Sequence, residues 1–401
     1  MTGLPRSHMK GEIFLLIGVD ALFGFAIGFS SPSVAPLVVA LGVSITFVGQ
    51  AQTIGGLGAT VLRLPAGVLM DRVGRKPFIL LGGLLTLVGF FSYSFATFWI
   101  LLGSGIVLVS VDYAVRGMAC YASLGDAAKS QRLGRVFSID LGVTEAAATL
   151  APLLGGYAAT ALAVPSKLIF STSASLVAAA LIVVLLAYKP EPKQAHVTTT
   201  ETWRSFLRPD RRILPLLVVV ALDAFAWRVS FPFWTLYIFK QMKATQEQLG
   251  IALAIAASIP ALTGLTLGSK LDKLGRRPFM AASEWCALGA FVPLLIGWRP
   301  EFAYISAIFW GLVYSLWMPA LNAYIVEHFG SERFGQTAGT LALVSGAASV
   351  ASPALGGWMW DTISPSAPFI LTMVLAVAIG FVIWFRLKEP KEMPPRLAIT
   401  A

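Results

Sequence analysis

The sequence predicts an all-α integral membrane protein with twelve transmembrane helices in two pseudo-symmetric six-helix bundles. Hydrophobic residues make up 57% of the 401 positions and charged residues only 12%, whereas soluble domains contain about 25% charged residues. Apolar stretches of about 20 residues, the length needed to cross a bilayer, occur along the whole chain. In addition, motifs of the first half return 201 residues later, as Gly67 and Gly268 illustrate.

The predicted spans are separated mostly by short polar segments. They lie near residues 12–34, 45–70, 78–97, 99–123, 136–160, 166–188, 213–239, 247–269, 279–298, 302–326, 336–360 and 367–387. The one long polar interval, 189–212, contains two prolines and several basic residues and is predicted to be a linker. We therefore expect one bundle at 1–188 and a second bundle with a short tail at 213–401.

Three clusters of residues carry the repeat at this single offset. In chain order they pair Gly67, Asp71, Gly74 and Arg75 with Gly268, Asp272, Gly275 and Arg276; Asp126 and Arg132 with Glu327 and Arg333; and Pro152, Gly155 and Gly156 with Pro353, Gly356 and Gly357. Because each half has an even number of spans, the halves are parallel repeats related by an axis along the membrane normal. Such halves move against each other around a shared central site.

Basic residues are distributed unevenly between the two sides of the membrane. Twenty-three of the 30 Lys and Arg residues fall on the side that holds both termini, and four fall on the other side. The positive-inside rule therefore places both termini, the 189–212 linker and the tail in the cytoplasm, with the chain in the plasma or inner membrane. The net charge of +10 is then an orientation signal, and no nucleic-acid partner is expected.

The loop between the second and third spans, Gly67-Val-Leu-Met-Asp71-Arg72-Val-Gly74-Arg75-Lys76-Pro77, resembles the signature loop of the major facilitator superfamily, and it has a second copy at 268–278. The resemblance covers essentially the whole chain and implies a secondary transporter closest to twelve-helix proton-coupled antiporters. It also implies that Asp71 meets the start of the eleventh helix and that Arg75 pairs with Asp126. On this basis the expected latch of a cytoplasmic gate in the outward-open state comprises Asp71, Arg75, Asp126, Arg132, Asp272, Arg276, Glu327 and Arg333.

The fifth span contains Ala151-Pro152-Leu-Leu-Gly155-Gly156, which resembles a motif of the family's antiporters except that Ala151 replaces the usual glycine. This resemblance favours export of the solute. The eleventh span carries the related segment Ser352-Pro353-Ala-Leu-Gly356-Gly357, so both segments are also candidates for close helix packing.

Ionisable residues also occur within the apolar spans. Each costs about 2.5 to 3.5 kcal/mol at a helix centre, so those that are retained usually face a cavity and function there. Asp20, Arg116, Glu145 and Asp223 are predicted at one level, roughly 12 to 15 Å from the cytoplasmic edge. Asp112 precedes Arg116 by one helical turn and is predicted to pair with it. Static ion pairs are the alternative interpretation.

These residues suggest a proton-coupling site. A carboxyl group in a dehydrated cavity has a raised pKa and a nearby guanidinium lowers it, so alternating exposure can load and release a proton. We rank Glu145 and Asp20 as the first proton carriers, Arg116 and Asp112 as counter-charges, and Asp223 as the candidate in the second half.

Two further groups of residues complete the candidate site. Trp227, Tyr314 and Trp317 are predicted deep in the second bundle, where they would line a cavity for an apolar or aromatic solute or serve helix packing. Asp140 and Glu284 are predicted to be shallow enough to reach the membrane interface, and neither is assigned a role.

Together these features predict a transporter that moves a small organic solute by alternating access, with proton-coupled efflux as the first interpretation. A proton-coupled or facilitative importer is the alternative, and a lipid scramblase or intramembrane enzyme is a third. Because HExxH, GxGD and GxxxxGK[ST] motifs are absent from the sequence, no enzymatic activity is expected. The expected energy source is the proton gradient, without cofactor or metal. The expected partners of a monomer are the solute and the lipid bilayer.

Overall fold

The computed structural model describes residues 6–128, 133–189, 213–329 and 334–388. The described chain is helical and contains no β-strand. The helices of the first half are α1 (Arg6–Ala40), α2 (Ile45–Val73), α3 (Lys76–Ser94), α4 (Trp99–Asp112), α5 (Met118–Ala128), α6 (Leu133–Thr160) and α7 (Ser166–Ala187). Those of the second half are α8 (Leu214–Ser230), α9 (Trp234–Lys240), α10 (Gln246–Leu274), α11 (Arg277–Ile296), α12 (Phe302–Phe329), α13 (Phe334–Ser349), α14 (Ser352–Thr362) and α15 (Ala367–Arg386).

The predicted spans all fall on helical segments of the described chain. Ten of these segments are long and apolar enough to cross a membrane. The remaining two predicted spans, the second and the eighth, correspond to α2 and α10, which have 29 residues each. At about 1.5 Å per residue, helices of this length also exceed the hydrocarbon thickness of a bilayer.

Three predicted spans are broken helices, which the apolar pattern of the sequence does not show. A π turn at Tyr113–Gly117 joins α4 to α5, and a 3-10 turn at Phe231–Phe233 joins α8 to α9. The break between α13 and α14 immediately precedes Pro353. Proline lacks a backbone N–H, which explains the second and third breaks. By contrast, α6 continues through Pro152 without interruption.

Glycine turns join two long helix pairs at one end of the molecule. Gly74 (φ 95°) links α2 to α3, and Gly275 (φ 89°) links α10 to α11. These positive φ values suit glycine, and a proline in the first turn of α3 and of α11 favours the start of each helix. We call this end the basic end, and the end that carries the turns at 41–44, 161–165, 241–245 and 363–366 the far end.

The two halves have equivalent packing. In the first half α1 packs against α6 and α7, and α3 lies between α4 and α7. In the second half α8 packs against α13 and α15, and α11 packs against α12 and α15. The halves meet where α6 contacts α10 and where α2 contacts α14. These two contacts are related by the sequence repeat, so the interface between the halves is itself pseudo-symmetric.

Candidate functional site

A buried ion cluster in the first half, which we call the triad, consists of Asp20, Asp112 and Arg116. Arg116 lies in the π turn between α4 and α5, and its Nε donates to both carboxylate oxygens of Asp112 at 2.9 and 3.0 Å. Its Nη1 donates to Oδ1 of Asp20 on α1 at 2.5 Å. The guanidinium also lies over the ring of Phe23, 4.1 Å from the centroid. One arginine therefore holds carboxylates from two helices.

The members of the triad differ in exposure. The side chain of Asp112 is 1% exposed and that of Arg116 is 5% exposed, whereas that of Asp20 is 16% exposed. With both carboxyl groups ionised, the triad carries one negative charge more than its guanidinium balances. Because an uncompensated charge is unfavourable in a buried site, Asp20 is the member best placed to take up a proton or a cation.

Close helix packing supports the triad from α3. A Cβ atom at Gly82 would lie 2.6 Å from Cβ of Arg116, so only glycine permits this approach. The π turn is the local feature that sequence reasoning missed, and such turns are frequent at functional sites. The adjacent glycines at positions 82 and 83 were a signal that another backbone lies close to α3.

The acidic residues of α6 occupy different positions from those that we predicted. Asp140 is 1% exposed, and its Oδ1 has no hydrogen-bond partner in the described structure. The expectation that Asp140 reaches the membrane interface is therefore wrong, because it lies on a face of α6 that packing against neighbouring helices encloses. Glu145 is partly exposed and forms no ion pair with the triad among the described residues. It lies near Tyr314 of the other half.

Asp223 has a partner that sequence reasoning missed. Its carboxyl group lies beside that of Glu284, which accepts a hydrogen bond from Trp227 Nε1 at 3.3 Å. Glu284 is 1% exposed, so the expectation that its side chain reaches the membrane interface is wrong. Asp223 and the triad therefore belong to two separate acidic sites, one in each half.

The three aromatic residues predicted to line one cavity are distributed over three environments. Trp227 packs against Phe291 and Trp310, with ring centroids 5.6 and 5.3 Å apart. Trp317 packs against a separate apolar cluster of the second half. Tyr314 is 54% exposed and faces the first half. Of these three residues, Tyr314 is the one placed between the halves.

Two ion pairs lie at the basic end. Arg75 Nη1 is 2.8 Å from Asp126 Oδ2, and Arg276 Nη2 is 2.5 Å from Glu327 Oε1. Each pair joins a glycine turn to a helix of its own half, so neither pair by itself connects the halves. Asp71 and Asp272 lie on α2 and α10, but their side chains are outside the described part of the structure, as are residues Arg132 and Arg333.

At the far end the halves are in direct backbone contact. A Cβ atom at Gly156 would lie 2.5 Å from the carbonyl oxygen of Gln246, and one at Gly357 would lie 2.5 Å from that of Ile45. These two contacts are related by the 201-residue repeat. Gly155 and Gly356 make still closer contacts within their own halves, against the carbonyl oxygens of Phe29 and Val229. Glycine residues therefore permit close packing at the far end, both between the halves and within each half.

Hydrogen bonds between the halves reinforce this closure by capping helices across the interface. Asp361 Oδ2 accepts from the backbone N–H and the hydroxyl of Thr46 at the start of α2, both at 2.7 Å. Thr160 Oγ1 accepts from the backbone N–H of Glu247 at the start of α10, at 3.0 Å. The same repeat relates Thr160 to Asp361 and Thr46 to Glu247. An oxygen acceptor, and especially a carboxylate, is favourable at a helix N-terminus.

Asp361→Ala is expected to favour opening of the far end about fivefold, because loss of a cap costs about 1 kcal/mol and 1.4 kcal/mol is tenfold. Ser33, which is fully buried at the far end and accepts from Gln246 Nε2 at 3.1 Å, provides the reporter. In Ser33→Cys protein, the rate of labelling by an impermeant thiol reagent from the far-end side should rise by that factor. Ser44→Ala removes the cap that α2 receives from its own half and should leave the rate nearly unchanged. Equal effects of the two variants would contradict the prediction.

Comparison with known proteins adds family information to this geometry. Residues 16–222 and 216–400 each match the family model described as Major Facilitator Superfamily. Multidrug resistance protein MdtL of Shewanella sp. (strain ANA-3) is 24% identical over 386 residues, covering 88% of this chain and 93% of that protein. Proton-coupled antiporter flippase LtaA of Staphylococcus haemolyticus is 24% identical over 336 residues, covering 81% and 79%.

Solved structures share the fold. A mutant of the nucleoside transporter NupG superposes with a TM-score of 0.80 at 13% sequence identity, covering 94% of this chain and 99% of that one. The D-xylose-proton symporter superposes with a TM-score of 0.73 at 14% identity, covering 94% and 98%. At these identities the similarity shows a common architecture of two helical bundles.

Proposed function

The chain belongs to the Major Facilitator Superfamily, and from this premise we propose that it exports a small organic solute in exchange for protons. The observation that carries the proposal is the triad, in which one guanidinium faces two carboxyl groups. Asp20 is its accessible member and Asp112 its enclosed counter-charge. The chain is a multi-pass membrane transporter; the direction of transport and the coupling ion are the proposed parts.

Competition at Asp20 explains how exchange would work. The excess negative charge of the triad is balanced either by a proton on Asp20 or by the positive or polar group of a solute beside it. Since both cannot occupy the carboxylate together, arrival of one releases the other. Glu145, which lies near Tyr314 of the second half, is the further acid on this path. A site that binds proton and solute in turn, and opens to one side at a time, produces antiport.

The closed far end supports alternating access. In the described conformation the halves meet at the far end through the glycine contacts and the two helix caps. We infer that the central site is then reached from the basic end, which we assign to the cytoplasm on the distribution of Lys and Arg. In the opposite state, Asp71 and Asp272 would be the residues that reach across the basic end, while Arg75–Asp126 and Arg276–Glu327 hold each glycine turn in place.

The names of two relatives favour export. One is called a multidrug resistance protein and the other a proton-coupled antiporter flippase. The second name also makes transbilayer movement of an amphiphilic lipid the strongest competing function. Import by symport is the other alternative, on the same fold.

Proteoliposomes with an imposed pH gradient distinguish these functions. Antiport predicts that a panel of cationic, neutral and anionic solutes contains compounds that accumulate in vesicles with an acidic interior. Accumulation driven by a basic interior would instead identify a symporter, and movement of labelled lipid without solute would identify a flippase.

Asp20→Asn is expected to abolish uptake driven by the pH gradient and to retain solute exchange at equal pH, because the amide cannot release a proton. Glu301 is exposed at the far end, so Glu301→Gln is the matched control and should transport solute at the wild-type rate. Gradient-driven uptake by Asp20→Asn at the wild-type rate would refute the assignment of Asp20.

A further inference from the structure

We propose that Asp223 and Glu284 form a second proton site, in which two carboxyl groups of the second half share one proton without a basic partner. The proposed transport function assigns no proton to this pair. The shared proton does not depend on that function; only its contribution to transport does.

The placement of the two acids favours a shared proton. The two carboxyl groups lie within hydrogen-bonding reach of each other, and a carboxylate can only accept, so a hydrogen bond between them needs a proton on one of them. Glu284 is 1% exposed, so solvent does not compensate a negative charge on it, whereas Asp223 is partly exposed. The indole N–H of Trp227 donates to Glu284 Oε2 at 3.3 Å. This donor partly satisfies the carboxyl group but brings no positive charge.

The pseudo-symmetric comparison explains why a proton is needed here. In the first half, Arg116 compensates Asp20 and Asp112. The residue 201 positions after Arg116 is Trp317, so the second half lacks this guanidinium. Asp20 and Asp223 nevertheless occupy closely similar places in their helices. The first half thus balances its acid pair with an arginine, and the second half must use a proton.

Charged groups on the neighbouring helices are engaged with other partners or lie elsewhere. On α11, Arg276 pairs with Glu327 of α12, and Arg277 lies over Trp384 of α15. The segment 337–349 of α13 has no ionisable side chain, and Asp361 of α14 caps α2 at the far end. The other titratable groups on these elements are Arg228 on α8, Cys286 on α11, Tyr304, Tyr314, Tyr324 and His328 on α12, and Arg386 at the end of α15.

The pair is connected to an aromatic cluster. Trp227 donates to Glu284 and packs against Phe291 and Trp310, the latter edge to face. Loss of the shared proton would place two carboxylates in contact, and their repulsion would separate α8 from α11 and shift Trp227. Protonation is thereby linked to the shape of the aromatic surface of the second half.

Infrared spectroscopy of the purified full chain tests the shared proton directly, through the carbonyl-stretch band of protonated carboxyl groups. The double variant Asp223→Asn and Glu284→Gln should lose the intensity of one protonated carboxyl group, because the pair holds one proton. Each single variant should lose no more than that intensity, since the remaining carboxyl group can keep the proton. Asp361→Asn is the control, since an ionised cap contributes no such band.

Two outcomes would overturn the proposal. In the first, the double variant keeps the full band although it melts as cooperatively as the wild type, which would show that the pair is ionised. In the second, the double variant loses the intensity of two protonated carboxyl groups, which would show that each acid holds its own proton. If wild-type transport proves independent of the pH gradient, the proposed function fails while the infrared result still decides the shared proton.

Discussion

Arg116→Met is expected to lower the free energy of unfolding by about 3–5 kcal/mol, the range seen when one member of a buried ion pair is removed. The variant deprives Asp112, which is 1% exposed, of both hydrogen bonds from the guanidinium. It also removes the hydrogen bond that Asp20 on α1 accepts from Arg116. Methionine keeps most of the side-chain volume, so the loss reports charge and hydrogen bonding rather than a cavity. Thermal denaturation in detergent provides the measurement.

Neutralising the partners should reverse most of this effect. In the triple variant Arg116→Met, Asp112→Asn and Asp20→Asn, no uncompensated charge remains, so most of the lost stability should return while proton-coupled transport stays absent. Arg299→Met removes an exposed arginine at the far end and should change stability by less than about 0.5 kcal/mol. The triad would not hold the helices together if Arg116→Met melted at the wild-type temperature, or if the triple variant were as unstable as Arg116→Met.

Gly156→Leu is expected to disfavour closure of the far end and to lower the transport rate strongly while leaving each half folded. A Cβ atom at this position would already lie 2.5 Å from the carbonyl oxygen of Gln246 in the other half. Overpacking of this kind costs about 1–3 kcal/mol or more, and it destabilises only the conformation in which α6 contacts α10. The equilibrium should therefore shift toward the open far end by about tenfold or more. The labelling rate of Ser33→Cys measures this shift.

Two other glycines of α6 serve as controls for this experiment. Gly142 has open space around the position of a Cβ atom, so Gly142→Leu should leave both transport and labelling near the wild-type values. A Cβ atom at Gly155 would overlap the carbonyl oxygen of Phe29 in the same half. Gly155→Leu should therefore lower the melting temperature without selectively opening the far end. If Gly142→Leu and Gly156→Leu behaved alike, the closed far end would not be part of the transport cycle.

Part of the candidate site was predictable because it is local in sequence. Asp112 and Arg116 are one helical turn apart, and this spacing alone predicts their contact. The addition of Asp20 to them was not predictable, because the predicted common depth of Asp20 and Arg116 applied equally to Glu145 and Asp223. Of these four residues, the structure brings only Asp20 and Arg116 into contact. Depth along a helix follows from counting residues, whereas contact depends on which helices are neighbours.

The error on Asp140 and Glu284 has a related cause. Both lie near helix starts, and counting residues from those starts placed them close to the interface. Membrane helices of this chain are apolar on all sides, so their sequences carry little periodic signal to show which face is turned inward. Packing of α6 and α11 against their neighbours encloses these two acids. The partner of Asp223 was missed for this reason.

The membrane class, the family and the duplicated two-bundle plan were predictable from the sequence, because apolar spans, basic loops and a fixed repeat are one-dimensional patterns. The packing of the folded helices added the contact of Arg116 with Asp20, the placement of Glu284 beside Asp223, and the caps that Asp361 and Thr160 provide to helices of the opposite half. Each of these contacts joins residues far apart in the chain. Such contacts depend on the rotation and approach of packed helices, which residue spacing within a single span does not contain.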